Sequence, residues 1–185
     1  NILPEWPVDE IASWIDGSLS QSNPPRLRVV VIAPRGGGKR SFTAAVTRKL
    51  GMSLLVVDAG AAEESNWARF FLHAQRQVFL DTAALAWTGE AAVRRQWPTN
   101  QTLFPLQFVL CEPGSEPAPI SGAVDRQVRL PMPEASTRER LWRKSSAQAA
   151  KWPADEMRRL AKHHTVWPGD IERASHLGAN TPQEA

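Results

Sequence analysis

The chain has 185 residues, a length that suits one domain or one domain with a small appendage. Hydrophobic residues make up 42% of it and charged residues 22%, ordinary globular values that exclude wholesale disorder. The net charge of +3 is too small an excess to indicate nucleic acid binding, and a single cysteine excludes an internal disulfide. No apolar run approaches the roughly 20 residues of a membrane span, so we expect a cytoplasmic protein without a membrane partner. Because the chain begins with Asn1, we also expect a module of a longer protein.

The N-terminal part of the chain predicts helices and strands in alternation. Apolar residues at helical spacing predict a first helix over Val8–Leu19. A β-branched run, Leu27–Ala33, predicts a strand that is buried on both faces, with Arg28 at its exposed start. Helical spacing over Phe42–Leu50 predicts a second helix, and the apolar run Ser53–Asp58 predicts a second strand.

The alternation continues to about residue 130. An amphipathic stretch over Glu63–Gln77 predicts a helix, and Val78–Asp81 predicts a short third strand. Phe104–Cys111 predicts a fourth strand and Gln127–Leu130 a fifth. Strands that alternate with helices favour parallel pairing with right-handed crossovers. The sequence therefore predicts an α/β fold with a parallel five-stranded sheet flanked by helices.

Beyond Leu130 the pattern becomes helical only. Ser136 and Glu139 have the spacing of a capping box at the start of a helix. Pro153 suits the start of another helix, and Pro168-Gly169-Asp170 suits the start of a third. We therefore expect an α/β subdomain over residues 1–131 and a small all-helical subdomain over residues 132–185.

A glycine-rich segment between the first strand and the second helix carries the main functional signal. A P-loop, G-x-x-x-x-G-K-[ST], occupies this context, and its backbone N–H groups and lysine bind phosphates. Gly38-Lys39 is in place, but Ala33 replaces the first glycine and Arg40 replaces the hydroxyl residue that binds Mg²⁺. The alternative is a glycine-rich turn without a ligand. The predicted nucleotide-binding residues of this segment are Pro34, Arg35, Gly36, Gly37, Gly38, Lys39, Arg40 and Ser41.

Asp81 ends the predicted third strand and is followed by Thr82. An aspartate at the end of an apolar strand resembles a Walker B motif, whose carboxylate holds the Mg²⁺-bound water. The alternative is that Asp81 caps the N-terminus of a following helix. Both residues are kept as candidate catalytic positions.

Together these motifs resemble the AAA+ ATPases, and the resemblance covers most of the chain. Leu130–Pro133 with Arg138 is similar to the exit of strand five and the first lid helix, and Trp167–Ala174 is similar to the lid segment beside the nucleotide. The resemblance implies ATP or ADP as the ligand, with Asp170 and Ile171 among the cofactor-binding residues. It also implies neighbouring subunits of a ring, a second AAA module and a protein substrate as partners.

Four catalytic elements depart from the pattern of that family. Arg40 stands at the position of the Mg²⁺ hydroxyl, which puts a role for Mg²⁺ in question, and Thr82 stands where a water-orienting glutamate is usual. The predicted fourth strand ends at Cys111 without the Asn or Thr sensor, and Arg126 lies just beyond the expected place of an arginine finger. The chain therefore resembles the degenerate first module of tandem AAA ATPases, such as those associated with contractile injection systems. The implied function is nucleotide binding with weak or no hydrolysis.

Three other functions stay open at the sequence level. A working ATPase needs Ser41 to serve Mg²⁺ through a shifted loop register and a glutamate elsewhere to replace Thr82. A nucleic-acid-associated AAA+ module is compatible with the helical tail, although no dense basic stripe supports nucleic acid as a partner. A small P-loop kinase is disfavoured by the same tail. The eight tryptophans predict core and subunit contacts, Cys111 predicts inert packing, and His163-His164 predicts a solvated helix end.

Overall fold

A five-stranded sheet forms the centre of the protein in a computed structural model, which describes residues 2–98, 105–145 and 149–176. The strands in chain order are β1 (Arg26–Ile32), β2 (Ser53–Asp58), β3 (Ala83–Thr88), β4 (Leu106–Cys111) and β5 (Ala123–Arg129). Their spatial order is β2-β3-β4-β1-β5, and every neighbouring pair is parallel. The predicted α/β class with a parallel five-stranded sheet is confirmed.

Helices cover the sheet and make up the C-terminal part of the chain. Within the described residues they are α1 (Val8–Leu19), α2 (Lys39–Lys49), α3 (Trp67–Leu80), α4 (Glu90–Arg94), α5 (Ala135–Ser145), α6 (Ala154–His163) and α7 (Pro168–His176). Short 3-10 turns occupy Ala59–Ala61, Glu64–Asn66 and Ala149–Lys151. Of the helices described, none combines the length and the apolar character that crossing a membrane requires.

The two faces of the sheet build separate apolar cores, because successive strand residues point to opposite faces. Val29 and Val31 share one core with residues of α1, α2 and the C-terminal helices. On the other face Trp87 packs with Trp67 and Phe71 of α3, and the rings of Phe71 and Trp87 are stacked with centroids 4.9 Å apart. The predicted core role is confirmed for six tryptophans, which are Trp6, Trp67, Trp87, Trp97, Trp142 and Trp152.

The strand predicted at Val78–Asp81 is wrong, because the first three of these residues end helix α3 and Asp81 follows it. Val78 is buried, whereas Phe79 and Leu80 are 74% and 76% exposed. The third strand is β3, which begins after a tight turn in which Thr82 has a φ of 50°. Three of the first four residues of β3 are alanines, which favour helices in isolation. Pairing with β2 and β4 buries the strand and overrides that preference.

Arg28 is buried in β1, contrary to the exposed position expected for it, with only 2% of its side chain accessible. Asp125 on β5 accepts hydrogen bonds from its Nε at 2.8 Å and from its Nη2 at 2.5 Å. Nη2 also donates to the carbonyl of Ala118 at 2.6 Å, and the guanidinium lies 5.3 Å from the centre of the Trp97 ring. A buried charge is tolerated only with compensation of this kind. The cluster therefore holds the loop of residues 112–122, which joins β4 to β5, against the sheet.

The C-terminal helices pack on the same core as the sheet. Trp142 of α5, Met157 of α6 and Ile171 of α7 join the cluster that contains Val29 of β1. The buried Arg138 ties α5 to α6 by donating from Nε to the carbonyl of Ala161 at 2.9 Å. The helical character of the tail is thus confirmed over the part described. One apolar cluster contains residues on both sides of residue 131. The division into two subdomains at that residue stays a prediction.

Candidate phosphate-binding site

The glycine-rich loop lies at the carboxyl edge of the sheet, directly after β1. Strand β1 lies between β4 and β5, so the chain leaves it in one direction towards β2 and later crosses it to reach β5. In open parallel sheets such a reversal of strand order leaves a crevice outside the carboxyl ends, where ligands bind. The fold therefore places the loop at the position where a binding site is expected on topological grounds.

The backbone of the loop requires its three glycines. Gly36 and Gly38 have φ values of +80° and +85°, in the left-handed region that side chains other than glycine rarely adopt. Gly37 donates its N–H to the carbonyl of Pro34 at 3.0 Å, and a Cβ there would lie 2.6 Å from the Cβ of Ala33. The result is a tight turn that leads directly into the first residue of α2.

Two other segments pack against the outer side of this loop. A Cβ on Gly38 would lie 2.5 Å from Cζ2 of Trp6, so the indole covers the backbone at that point. Gly169 donates its N–H to the carbonyl of Gly36 at 2.9 Å, and a Cβ on Gly169 would lie 2.6 Å from Cα of Gly36. The N-terminal segment and the start of α7 therefore both pack against the loop. Part of its glycine content serves these contacts rather than a ligand.

Asp170 and Ile171, which the resemblance implied as binding residues, lie at the start of α7 beside the loop. Oδ2 of Asp170 accepts a hydrogen bond from the N–H of Trp167 at 2.9 Å, and Oδ1 accepts from Arg173. Ile171 is fully buried in the main core. Asp170 therefore stabilises the first turn of α7, Ile171 anchors the helix in the core, and neither lines the cavity described below.

Lys39, the first residue of α2, turns its ammonium group back onto the loop. Its Nζ donates to the carbonyls of Ala33 at 2.6 Å and Pro34 at 3.0 Å. Burial lowers the pKa of this ammonium, and the negative charge of Glu112 opposes the shift. The ammonium therefore has two neutral carbonyl oxygens as its acceptors, and an anion at this place would be a stronger acceptor than either of them.

A cavity of about 850 Å³ opens beside Lys39, within the size range of small-molecule sites. It is bounded by the residues on either side of the three loop glycines, by the segment after β3 and by the segment after β4. The side chains that line it are Arg35, Lys39, Arg40, Thr88, Glu90, Val93, Arg94, Leu110, Cys111, Glu112, Ser115 and Glu116. Of the predicted loop residues, Arg35, Lys39 and Arg40 line the cavity. The other predicted residues do not line it, and these are Pro34, Gly36, Gly37, Gly38 and the exposed Ser41.

The residues that β3 contributes to this cavity are not among those predicted from the sequence, because the third strand was expected at Val78–Asp81. The segment Thr88-Gly89-Glu90 directly follows an apolar run, and that pattern was the available signal. The predicted catalytic positions Asp81 and Thr82 precede β3 and so lie at the amino edge of the sheet, opposite the glycine loop. Asp81 accepts a hydrogen bond from Nε2 of Gln77 at 2.6 Å. It is neither a strand end nor an N-cap, and the topology excludes it from the cavity.

The charges of the cavity divide into paired and unpaired groups. Glu116 accepts from Arg129 at 2.7 Å, and Glu90 accepts from Arg94 at 2.5 Å. Arg35 and Arg40 are exposed and, among the residues that the structure describes, neither has an ion-pair partner.

The floor of the cavity includes the thiol of Cys111, at the end of β4. The side chain is buried, and this burial raises its pKa to about 11. The thiol is therefore neutral at physiological pH, in agreement with the packing role expected for it.

No model of a known protein family matches the chain, and none of the curated proteins is similar to it.

Proposed function

We propose that the cavity beside the glycine loop binds the phosphate groups of a nucleotide, ATP or ADP. The observation that carries this proposal is the position of Lys39, whose partly buried ammonium lies at the N-terminus of α2 and beside a cavity of about 850 Å³. The N-terminus of α2 adds the positive end of a helix dipole and unpaired N–H groups at the same place. An anion there accepts a charge-assisted hydrogen bond from the ammonium of Lys39. That bond is stronger than those that the neutral loop carbonyls accept.

The wider proposal is an AAA+-like module of a larger, ring-forming ATPase. It is supported by a parallel five-stranded sheet with the loop after a central strand, and by helices that follow β5 and close on the loop through Gly169. In this proposal the partners are a second module, neighbouring subunits and a protein substrate. These partners are implied by the resemblance, whereas the nucleotide is supported by the contacts around Lys39.

Weak hydrolysis follows from how the carboxylates of the cavity are engaged. Phosphoryl transfer depends on positioning of the attacking water and on stabilisation of the phosphoryl charge. Glu90 and Glu116 are each bound to an arginine, and β3 ends at Thr88 rather than at an acidic residue. A module of this kind holds nucleotide and communicates its presence, with little turnover of its own.

An active ATPase is the second candidate, and a specific observation favours it. Glu112 lines the same cavity as Lys39 and has no ion-pair partner among the described residues, so a carboxylate able to orient water is present although Thr82 is not there. The two functions differ in one measurable quantity, the release of phosphate from ATP by the purified chain. Turnover that Glu90→Gln or Glu112→Gln abolishes supports the active enzyme.

Calorimetric titration with ATP and ADP tests the proposal. We expect Lys39→Ala to weaken binding at least tenfold, because a hydrogen bond to a charged group contributes about 1.5–3 kcal/mol. Lys49→Ala is the matched control, since Lys49 ends the same helix, is half exposed and pairs with Asp9 on the surface. The proposal fails if the parent chain binds neither nucleotide, or if both variants bind as the parent does while melting at the same temperature.

A further inference from the structure

We infer that the cavity takes its polyphosphate in the metal-free form, with Arg35 and Arg40 neutralising the charge that a divalent cation neutralises elsewhere. This inference rests on the proposed function, and it names the ionic form of the ligand. It concerns side chains on either side of the glycine loop rather than the loop itself.

The two arginines flank the three glycines of the loop. Arg35 precedes the three glycines, and Arg40 is the second residue of α2. Both line the cavity, both are exposed, and neither has an ion-pair partner in the part of the chain described. A guanidinium is always protonated and offers a planar fork of donors that matches two phosphate oxygens. The pair can therefore grip a phosphate chain from two sides without rearranging other contacts.

Two of the three acidic side chains of the cavity are paired with arginines, so few carboxylates remain for a divalent cation. At nucleotide sites Mg²⁺ keeps several waters and is held by one or two carboxylates together with the phosphates of the ligand. Glu116 and Glu90 pair with Arg129 and Arg94, which leaves Glu112 as the acidic side chain of the cavity without an ion-pair partner among the described residues. No group of three or more histidine, cysteine or acidic side chains that could hold a metal occurs among residues 2–98, 105–145 and 149–176.

The charge balance of the cavity points in the same direction. Four cationic side chains and three acidic ones line it. Arg94 pairs with Glu90 within the lining and Glu116 pairs with Arg129 outside it, which leaves, among the residues described, three cationic side chains and one acidic side chain unpaired with each other. Chelation by Mg²⁺ cancels part of the negative charge of a triphosphate and occupies oxygens that the guanidinium groups need. The free triphosphate therefore makes the stronger set of contacts.

Titration of the chain with ATP, once with EDTA and once with excess Mg²⁺, tests this inference. Inorganic tripolyphosphate serves as a second probe that carries the phosphate chain alone. We expect both to bind at least as tightly in EDTA as in Mg²⁺, and Arg35→Ala and Arg40→Ala each to weaken binding in EDTA about tenfold. Arg48→Ala is the matched control, because Arg48 is an exposed arginine in the last turn of α2.

The outcomes separate the inference from the function on which it rests. Binding of ATP that appears only with Mg²⁺, or that Arg35→Ala and Arg40→Ala leave unchanged, overturns the inference and leaves nucleotide binding intact. Absence of binding in both buffers overturns the proposed function and the inference together. Tight binding in EDTA that Lys39→Ala and Arg40→Ala both weaken supports the two at once.

Discussion

Replacing Asp125 by leucine tests the buried ion pair that holds the wall of the cavity. The substitution leaves the guanidinium of Arg28, only 2% exposed, without its bidentate partner. Removing one member of a buried pair costs about 3–5 kcal/mol, because the other charge stays desolvated and uncompensated. We expect Asp125→Leu to destabilise the protein within that range.

The reciprocal change, Arg28→Met, should cost less. The carboxylate of Asp125 is 23% exposed and can recover part of its hydration, and the carbonyl of Ala118 lies on an exposed residue. The loss is then mainly one charge-assisted pair and the contact with Trp97, together about 1–3 kcal/mol. The double variant should be more stable than Asp125→Leu alone, because two apolar side chains replace the pair without leaving a charge behind.

Urea unfolding followed by tryptophan fluorescence at neutral pH gives these free energies directly. Arg126→Ala is a suitable control, because Arg126 lies on the same strand but forms a half-exposed pair with Glu10. The control should change stability by less than about 1 kcal/mol. Additive effects of the two substitutions, or equal costs for both single variants, would refute this account of the pair. Arg28→Met should also weaken ATP binding, since the loop that Arg28 holds supplies one wall of the cavity.

Three further outcomes follow from the same contacts. Alkylation of Cys111 by iodoacetamide at pH 8 should be slow until the chain unfolds. The pKa of the folded thiol, about 11, exceeds the ordinary 9.0, so the neutral thiol contributes its full stability below pH 9 and less as the pH rises towards 11. Gly169→Ala should destabilise the protein in thermal melting, since its Cβ would lie 2.6 Å from Cα of Gly36, whereas Gly17→Ala in α1 should be neutral or stabilising by up to about 1 kcal/mol. Asp81→Asn should leave ATP affinity unchanged, and a tenfold loss would contradict its placement at the amino edge of the sheet.

The parallel sheet and most of its strands could be predicted because β-branched apolar runs such as Val29–Ile32 admit few other structures. The third strand could not, because its alanines favour a helix locally and only pairing with β2 and β4 makes it a strand. Conversely, Val78–Leu80 is apolar but ends α3, and short apolar runs do not distinguish strand from helix by periodicity alone.

The candidate site was predictable only where a local motif marks it. Gly36–Lys39 has a recognisable spacing, and the structure places it where the topology favours a ligand. The buried Arg28 depends on Asp125, which is 97 residues away in sequence, so no local pattern reveals it. Glu90 and Glu112 reach the cavity through the register of β3 and β4, which the chain sets only on folding.

A crystal structure of the chain with ADP tests the central claim most directly. The account predicts that phosphate oxygens lie within hydrogen-bond distance of Nζ of Lys39 and of the backbone N–H groups at the start of α2. Nζ should then exchange the carbonyls of Ala33 and Pro34, which now lie at 2.6 and 3.0 Å, for the phosphate. ADP bound elsewhere, with Lys39 still donating to both carbonyls, would contradict the claim that this loop is a phosphate site.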